Sequence, residues 1–493
     1  MKSPLVRMSY KTTLSLAILF AHIAVARAEN FWPGFRGLGA SHAVGGGLPL
    51  SWEARGRGPS NWSIRLPGYG QSSPVVWNDT LFVTAVSGEQ KESLHLLAIS
   101  RTDGKTLWQK DDEGTQRVKD SDTVSRGAPT PVVDANRVYA VFESGDVLVF
   151  THAGEMVWKY SFTKEYGEIK GPHGYASSPV LVDGLLILQV AHAGPSYILA
   201  LDAATGAQRW KVDHPSQTGW SSPTVLRRGG VNQVVISTSG SVRSLAAATG
   251  QEVWAVTDLR GNSTNSPTVA GDYIVIGASA ERGGGPGRGS RTGAPAPAGT
   301  PAPPAAESKT PAAPQPPAAV DKPAAAEAST SSEKPANAER PGSPEKPAVA
   351  QGSLAIHLGS EGAADTPQVA WRSARVTSSY ASPLVVEGLA YFVNRVGAAQ
   401  CVDVATGSVK WQHRLPGEVW ASPVACNGHV LFFCKQGAVV TLKAGPELVE
   451  VAESQISATD VIYGVAADDT GWIVRTGRGL VRISAAEEPA PAP

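Results

Sequence analysis

Ser178-Pro179-Val180-Leu181-Val182-Asp183-Gly184-Leu185 opens the stretch that decides the fold. Leu199-Ala200-Leu201-Asp202-Ala203-Ala204-Thr205-Gly206-Ala207-Gln208-Arg209-Trp210 closes it. It reads as four short strands. The first starts on Pro179, the second runs from Leu185 to Val190, the third from Tyr197 to Asp202 and the fourth from Gln208 to Trp210. Asp183-Gly184 is a hairpin turn signal. Pro suits the first residue of a strand, where a missing N–H breaks no ladder bond. Gly206 suits a left-handed turn position closed to most residues. Trp210 is then placed to pack against a neighbouring unit, because its area is too large to leave in water.

The same signals recur along the chain. Strands open on Pro74, Pro131, Pro179, Pro223, Pro267, Pro383 and Pro423, each preceded by Ser or Thr. Gly-x-x-x-Trp recurs at Gly104/Trp108, Gly154/Trp158, Gly206/Trp210, Gly250/Trp254 and Gly407/Trp411. Pro179, Pro223 and Pro267 are spaced by 44 residues, a period typical of β-propeller blades. Fourth-strand tryptophans at 108, 158, 210, 254, 371 and 411 count six blades. A seventh starts at Pro423 and lacks the Trp. After it, 461–466, 471–475 and 479–484 supply three strands and no fourth. At the other end, Asn61-Trp62-Ser63-Ile64-Arg65-Leu66 is a fourth strand without its first three. The expectation is an all-β, eight-bladed propeller of four-stranded antiparallel blades, its ring closed by the N-terminal strand. Closure removes exposed sheet edges.

One repeat is interrupted. Tyr273 to Ser279 and Ser353 to Leu358 read as second and third strands of one blade. Between them, residues 281–350 hold 15 Pro and 18 Ala among 70 residues, with no aromatic, Leu or Ile. Such a segment cannot offset its ordering entropy, so a disordered insertion is expected there. Residues 485–493 read as a similar tail. The propeller occupies 61–280 and 351–484, preceded by an N-terminal segment at 29–60.

Residues 1–28 read as a signal peptide: Lys2, Arg7 and Lys11, then an apolar run from Thr12, then Ala26-Arg27-Ala28 as the cleavage signal. The expected product is exported to the periplasm or beyond, with no membrane span. Its 39 basic against 43 acidic residues give a mild net −4 and no footprint for nucleic acid. Cys401, Cys426 and Cys434 are an odd set, so at least one thiol stays free of an internal disulfide; buried apolar thiols are the expectation.

The phrase from Leu201 to Trp210 resembles the tryptophan-docking repeat of the pyrroloquinoline-quinone-like propeller superfamily. Val402-Asp403-Val404-Ala405-Thr406-Gly407-Ser408-Val409-Lys410-Trp411 is similar to it, as is Leu245 to Trp254 without the Asp. Trp32-Pro33-Gly34-Phe35-Arg36-Gly37 and Leu48-Pro49-Leu50-Ser51-Trp52 resemble the start of secreted bacterial members. The resemblance covers nearly all of 31–484 outside the insertion. It implies the propeller and leaves several functions open. The superfamily holds quinoprotein alcohol and sugar dehydrogenases and the propeller lipoprotein of outer-membrane barrel assembly. From the dehydrogenases this chain departs in having no adjacent cysteines and no recognisable calcium set of Glu, Asn and Asp. From the lipoprotein it departs in having no lipobox Cys.

Function belongs where the repeat stops repeating. Three residues before each opening Pro stand Gln71, Ala128, Ala176, Trp220, Thr264, Tyr380 and Trp420, with Tyr463 equivalent in the closing blade. The loops that carry them share one face around the axial channel. Arg126 and His173 lie in the same approaches, and Tyr175 is one position earlier in its blade. The candidate ligand-binding set is therefore Arg126, His173, Tyr175, Trp220, Tyr380, Trp420 and Tyr463, since aromatic faces stack on planar or sugar ligands. The Ser or Thr before each Pro is expected to hydrogen-bond neighbouring backbone. No catalytic set is recognisable: no H-E-x-x-H, P-loop or Ser/His/Asp order appears, and the histidines are scattered over different blades. The leading expectation is a binding or interaction module whose partner is another envelope protein or a carbohydrate. The alternatives are a dehydrogenase using pyrroloquinoline quinone with calcium, and a scaffold in outer-membrane protein assembly.

Overall fold

The computed structural model describes residues 31–45, 47–52, 62–120, 125–215, 217–279, 352–360, 366–457 and 460–484. The expected signal peptide, insertion and tail lie outside these residues.

The quoted stretch forms one sheet of four strands in sequence order. Val180–Val182 is strand A, Leu185–Val190 strand B, Ser196–Asp202 strand C and Gln208–His214 strand D. All pairings are antiparallel. Six further blades repeat this order, at 75–113, 132–161, 224–257, 268–373, 384–414 and 424–455. In the eighth, Ile462–Ala467, Gly471–Thr476 and Gly479–Ser484 are joined by Trp62–Arg65 from the other end of the described chain. The register is Trp62 opposite Arg482 and Ile64 opposite Leu480. The eight-bladed ring expected from the repeat is present, with its seam where the sequence placed it.

Strands B and C are apolar on both faces because neighbouring blades cover both. Every residue of Leu185–Val190 is buried. Strand D rims the molecule and is largely exposed. The core accordingly lies between blades. One cluster joins Tyr139 and Val149 of blade 2 to Leu186 and Leu199 of blade 3. Another joins Phe82 of blade 1 to Phe142 of blade 2.

Strand D carries the same irregularity in blades 1 to 7, an extra residue immediately before the Trp or its equivalent. A bulge of this kind re-aims the following side chain. The Trp it precedes reaches into the next blade. The indole N–H of Trp108 donates to the His152 carbonyl at 2.8 Å, Trp158 to Ala203 at 3.1 Å, Trp210 to Ala247 at 2.9 Å and Trp371 to Val404 at 2.7 Å. Trp62 donates to Arg101 across the seam at 2.9 Å. Each ring also lies on the turn glycine of that next blade. A Cβ on Gly206 would stand 2.8 Å from the Trp158 ring, and Gly206 has φ 75°. The glycine thus serves its own turn and the preceding blade's tryptophan together.

Blade 7 has Ala452 at the Trp position, opposite Thr441. The N-terminal segment takes over there. Thr441 Oγ1 donates to the Leu50 carbonyl at 2.7 Å, Trp52 Nε1 to the Gln455 carbonyl at 3.2 Å, and Trp472 Nε1 to the Pro49 carbonyl at 2.8 Å.

The same segment enters the axial channel. Phe31–Trp32 pairs with strand A of blade 1 on the channel side. Val133 of blade 2 donates to the Pro33 carbonyl at 2.8 Å. The chain turns back at Phe35 to Ser41, and Ala425 of blade 7 then bonds both Ser41 and Ala43 through its backbone. Residues 31–45 are therefore a hairpin-like plug inserted from the face of the A–B turns. In the sequence they read only as a leading segment.

Candidate functional site

The tip of the plug and the loops entering strand A enclose a cavity of about 510 Å³ at the other end of the channel. Its wall has two tiers. Gln71, Ala128, Ala176, Trp220, Thr264, Tyr380, Trp420 and Tyr463 all line it, the residues three before the opening Pro or its equivalent. Below them sit the residues directly before the Pro: Ser73, Thr130, Ser178, Ser222, Ser266, Ser382 and Ser422, with Val465 in the closing blade. Phe35, Arg36 and Ser41 of the plug form the floor.

The lower tier is a chain of hydrogen bonds around the axis. The backbone N–H of Ser73 donates to Thr130 Oγ1 at 3.0 Å, Thr130 to Ser178 Oγ at 2.9 Å, and Ser178 to Ser222 Oγ at 2.9 Å. Ser222 continues it to Ser266 at 2.8 Å, Ser266 to Ser382 at 3.0 Å, and Ser382 to Ser422 at 3.0 Å. Each hydroxyl satisfies a buried donor of the blade before it, which explains Ser or Thr ahead of Pro.

The upper tier is uneven. Tyr380, Trp420 and Tyr463 form an aromatic arc, with ring centroids 5.0 Å and 5.5 Å apart. Tyr463 continues it to Tyr69 through a 2.8 Å contact between hydroxyls. Burial and that contact push the Tyr69 hydroxyl pKa well up, so it stays protonated. Across the mouth Trp220 lies 5.5 Å from the exposed His173 ring and donates its indole N–H to the Gly174 carbonyl at 3.0 Å. Ala128 and Ala176 leave room between these aromatic groups.

Among the described residues that line the cavity, Arg36 is the only Arg, Lys, Asp or Glu. It is 3 % exposed. Its Nε donates to Ser41 Oγ at 3.1 Å, and its Nη2 to Thr268 Oγ1 at 2.7 Å and the Pro383 carbonyl at 2.8 Å. Burial alone pushes its pKa down to about 9, with no carboxylate offsetting it, and it remains charged at neutral pH. Its φ of 60° is rare for a side chain of this size, and the surrounding hydrogen bonds hold it there.

Five of the seven sequence candidates, His173, Trp220, Tyr380, Trp420 and Tyr463, line this cavity. Arg126 stands beside it, its guanidinium 3.9 Å from the Tyr69 ring centroid and its Nε 3.7 Å from Asp120. Tyr175 is placed elsewhere. It is 1 % exposed in the core between blades 2 and 3, edge-on to Phe162 at 5.4 Å. One step along an extended chain reverses the side-chain direction, so Ala176 faces the cavity and Tyr175 the core. Phe35, Arg36 and Ser41 carry no repeat signal that would point to the cavity, although Phe35 and Arg36 lie within the Trp32 to Gly37 motif. A Ser–His–Asp contact in blade 1 is likewise unsignalled in the sequence. His95 Nε2 is 2.7 Å from Ser87 Oγ and His95 Nδ1 is 2.6 Å from Asp111 Oδ1. These groups come from strands B, C and D, lie outside the cavity lining and tie the three strands together. Cys401, Cys426 and Cys434 are buried free thiols, each pushed up to about 11 by burial.

Residues 51–196, 195–285 and 361–461 match the family model described as outer membrane protein assembly factor BamB. The chain belongs to the BamB family. A curated BamB from Yersinia pestis is 23 % identical over 219 residues, covering 44 % of this chain and 50 % of that one, so the chain spans about half the length of this relative. The BamB structure from Moraxella catarrhalis aligns with a TM-score of 0.52 at 12 % identity, covering 87 % of this chain and 98 % of that one. The quinohemoprotein alcohol dehydrogenase of Comamonas testosteroni aligns at 0.54 and 12 % identity, covering 94 % and 81 %. A europium-containing methanol dehydrogenase aligns at 0.54 and 11 %, covering 92 % and 90 %. At these identities the structural likenesses establish the propeller and no activity.

A calcium-bound quinone does not fit the cavity of this BamB-family chain. Calcium needs a cage of oxygen ligands with carboxylates among them, and no Asp or Glu is among the described residues of the lining. Among the described residues no group of three or more His, Cys, Asp or Glu is placed to hold a metal ion. No described helix is long and apolar enough to cross a membrane.

Proposed function

We propose that this chain is an exported interaction module of outer-membrane protein assembly, and that it engages an envelope protein through the channel-mouth face. Membership of the BamB family supports the assembly context. The observation that carries the choice of face is the upper tier of the cavity. Seven of the eight blades share a Ser or Thr at the lower tier, yet directly above it the residue changes from Ala128 to Thr264 to Trp420. A scaffold repeats, whereas a recognition surface has to differ from blade to blade. Tyr380 is 44 % exposed there, and aromatic side chains of this kind supply the anchors of protein interfaces. Affinity capture from the envelope fraction of the native host tests the reading. The wild-type chain should recover an identified component of outer-membrane protein assembly, and Trp220→Ala with Trp420→Ala should lose it. Equal recovery by this double variant would refute the channel-mouth face. Recovery of no such component by the wild type would refute the assembly role.

A further inference from the structure

We propose that the channel-mouth cavity binds a small ring-bearing oxyanion, its carboxylate or phosphate directed at Arg36 and its ring laid on the aromatic arc. This deepens the reading of that face as the binding face and rests on it. Three observations carry it.

The first is charge. Arg36 at the floor is desolvated and, among the described residues, is answered by hydroxyl and carbonyl oxygens, with no carboxylate in the lining. A buried cation without a counter-ion is a standing attraction for an anion, and a charge-assisted bond there is stronger than a neutral one.

The second is the polarity of the wall. Thr130, Ser178, Ser222, Ser266, Ser382 and Ser422 each accept a backbone N–H with their oxygen. Each keeps its own O–H proton, and none of these protons goes to a protein acceptor among the described residues. The cavity therefore offers a belt of donors above a cationic floor. Such a lining selects ligands rich in acceptor oxygens over ligands rich in donors.

The third is shape. The volume of about 510 Å³ lies in the range of small-molecule sites, and the floor is closed by the plug. Tyr380 and Trp420 stand together on one side, with Trp220 across the mouth, so a ring can stack on the arc while its acid group points down the axis.

Titration calorimetry on the purified full chain tests this with matched pairs: 4-hydroxybenzoate against 4-hydroxybenzyl alcohol, and glucuronate against glucose. The acid of at least one pair should bind about tenfold or more tighter than its neutral partner, the worth of one charge-assisted hydrogen bond. The pair showing the preference identifies an aromatic or a sugar ring. Arg36→Gln should erase the preference. Should that variant fail to fold, Tyr380→Ala, a change at a half-exposed side chain, should weaken the preferred acid and its neutral partner together. Absence of acid preference in both pairs overturns the proposal, as does an unchanged preference in folded Arg36→Gln. Because the assay contains no partner protein, the proposal can fail here while envelope capture succeeds, and the reverse.

Discussion

At the scale of single residues, the turn glycines have two reasons to be glycine, and only one belongs to their own blade. Gly206 has φ 75°, and its missing Cβ leaves room for the Trp158 ring of the blade before. The sequence displayed the first reason as a turn signal. It hid the second, because the partner tryptophan lies 48 residues upstream, in the preceding repeat. Trp158→Ala should cost about 3–5 kcal/mol in chemical denaturation. Gly206→Ala should cost about 1–3 kcal/mol through overpacking and the left-handed backbone together. Asp202 and Asp403 cap the same turns, each accepting two backbone N–H groups and a Thr hydroxyl. Those bonds lower both carboxyl pKa values. A lowered acid contributes stability above its unfolded pKa of about 3.9 and loses it as pH falls through the folded value. The melting temperature should therefore drop on acidification below roughly pH 4, and Asp202→Asn with Asp403→Asn should flatten that drop.

At the scale of elements, strands were legible and the plug was not. Strand identity follows from local signals: Pro openings, Asp-Gly turns and continuous apolar runs. The plug has no periodicity, and its bonds are long-range, from Arg36 to Thr268 and Pro383. Nothing near Arg36 in the sequence announces partners more than 200 residues away. The same limit explains Tyr175: its loop position points to the cavity, while its register directs the ring into the core. Deleting 31–45 should leave the blades folded by circular dichroism. It should also speed hydrogen exchange at the amides of Val133 and Ala425, which donate to Pro33 and Ser41. Unchanged protection at both amides would contradict a plug that is bonded to the channel wall.

At the scale of the whole molecule, the repeat count gave eight blades because closure requires a fourth strand for the last blade, and Trp62 to Leu66 had no other place. Blade 1 is tied to blade 8 by Arg101 on Asp469 at 2.8 Å and on the buried Asp468 at 3.3 Å, and Arg482 of blade 8 holds that Asp468 carboxylate at 3.1 Å. One side of the ring then presents the cavity, while the other presents the repeated A–B and C–D turns. The central claim is that recognition uses the first. A photoreactive amino acid placed at Tyr380 on the cavity face, or at Ala405 on the opposite face, tests it in the native envelope. The account predicts crosslinks from position 380 to a component of outer-membrane protein assembly and none from position 405. Crosslinks to that component from position 405 alone, or from both positions equally, would contradict it.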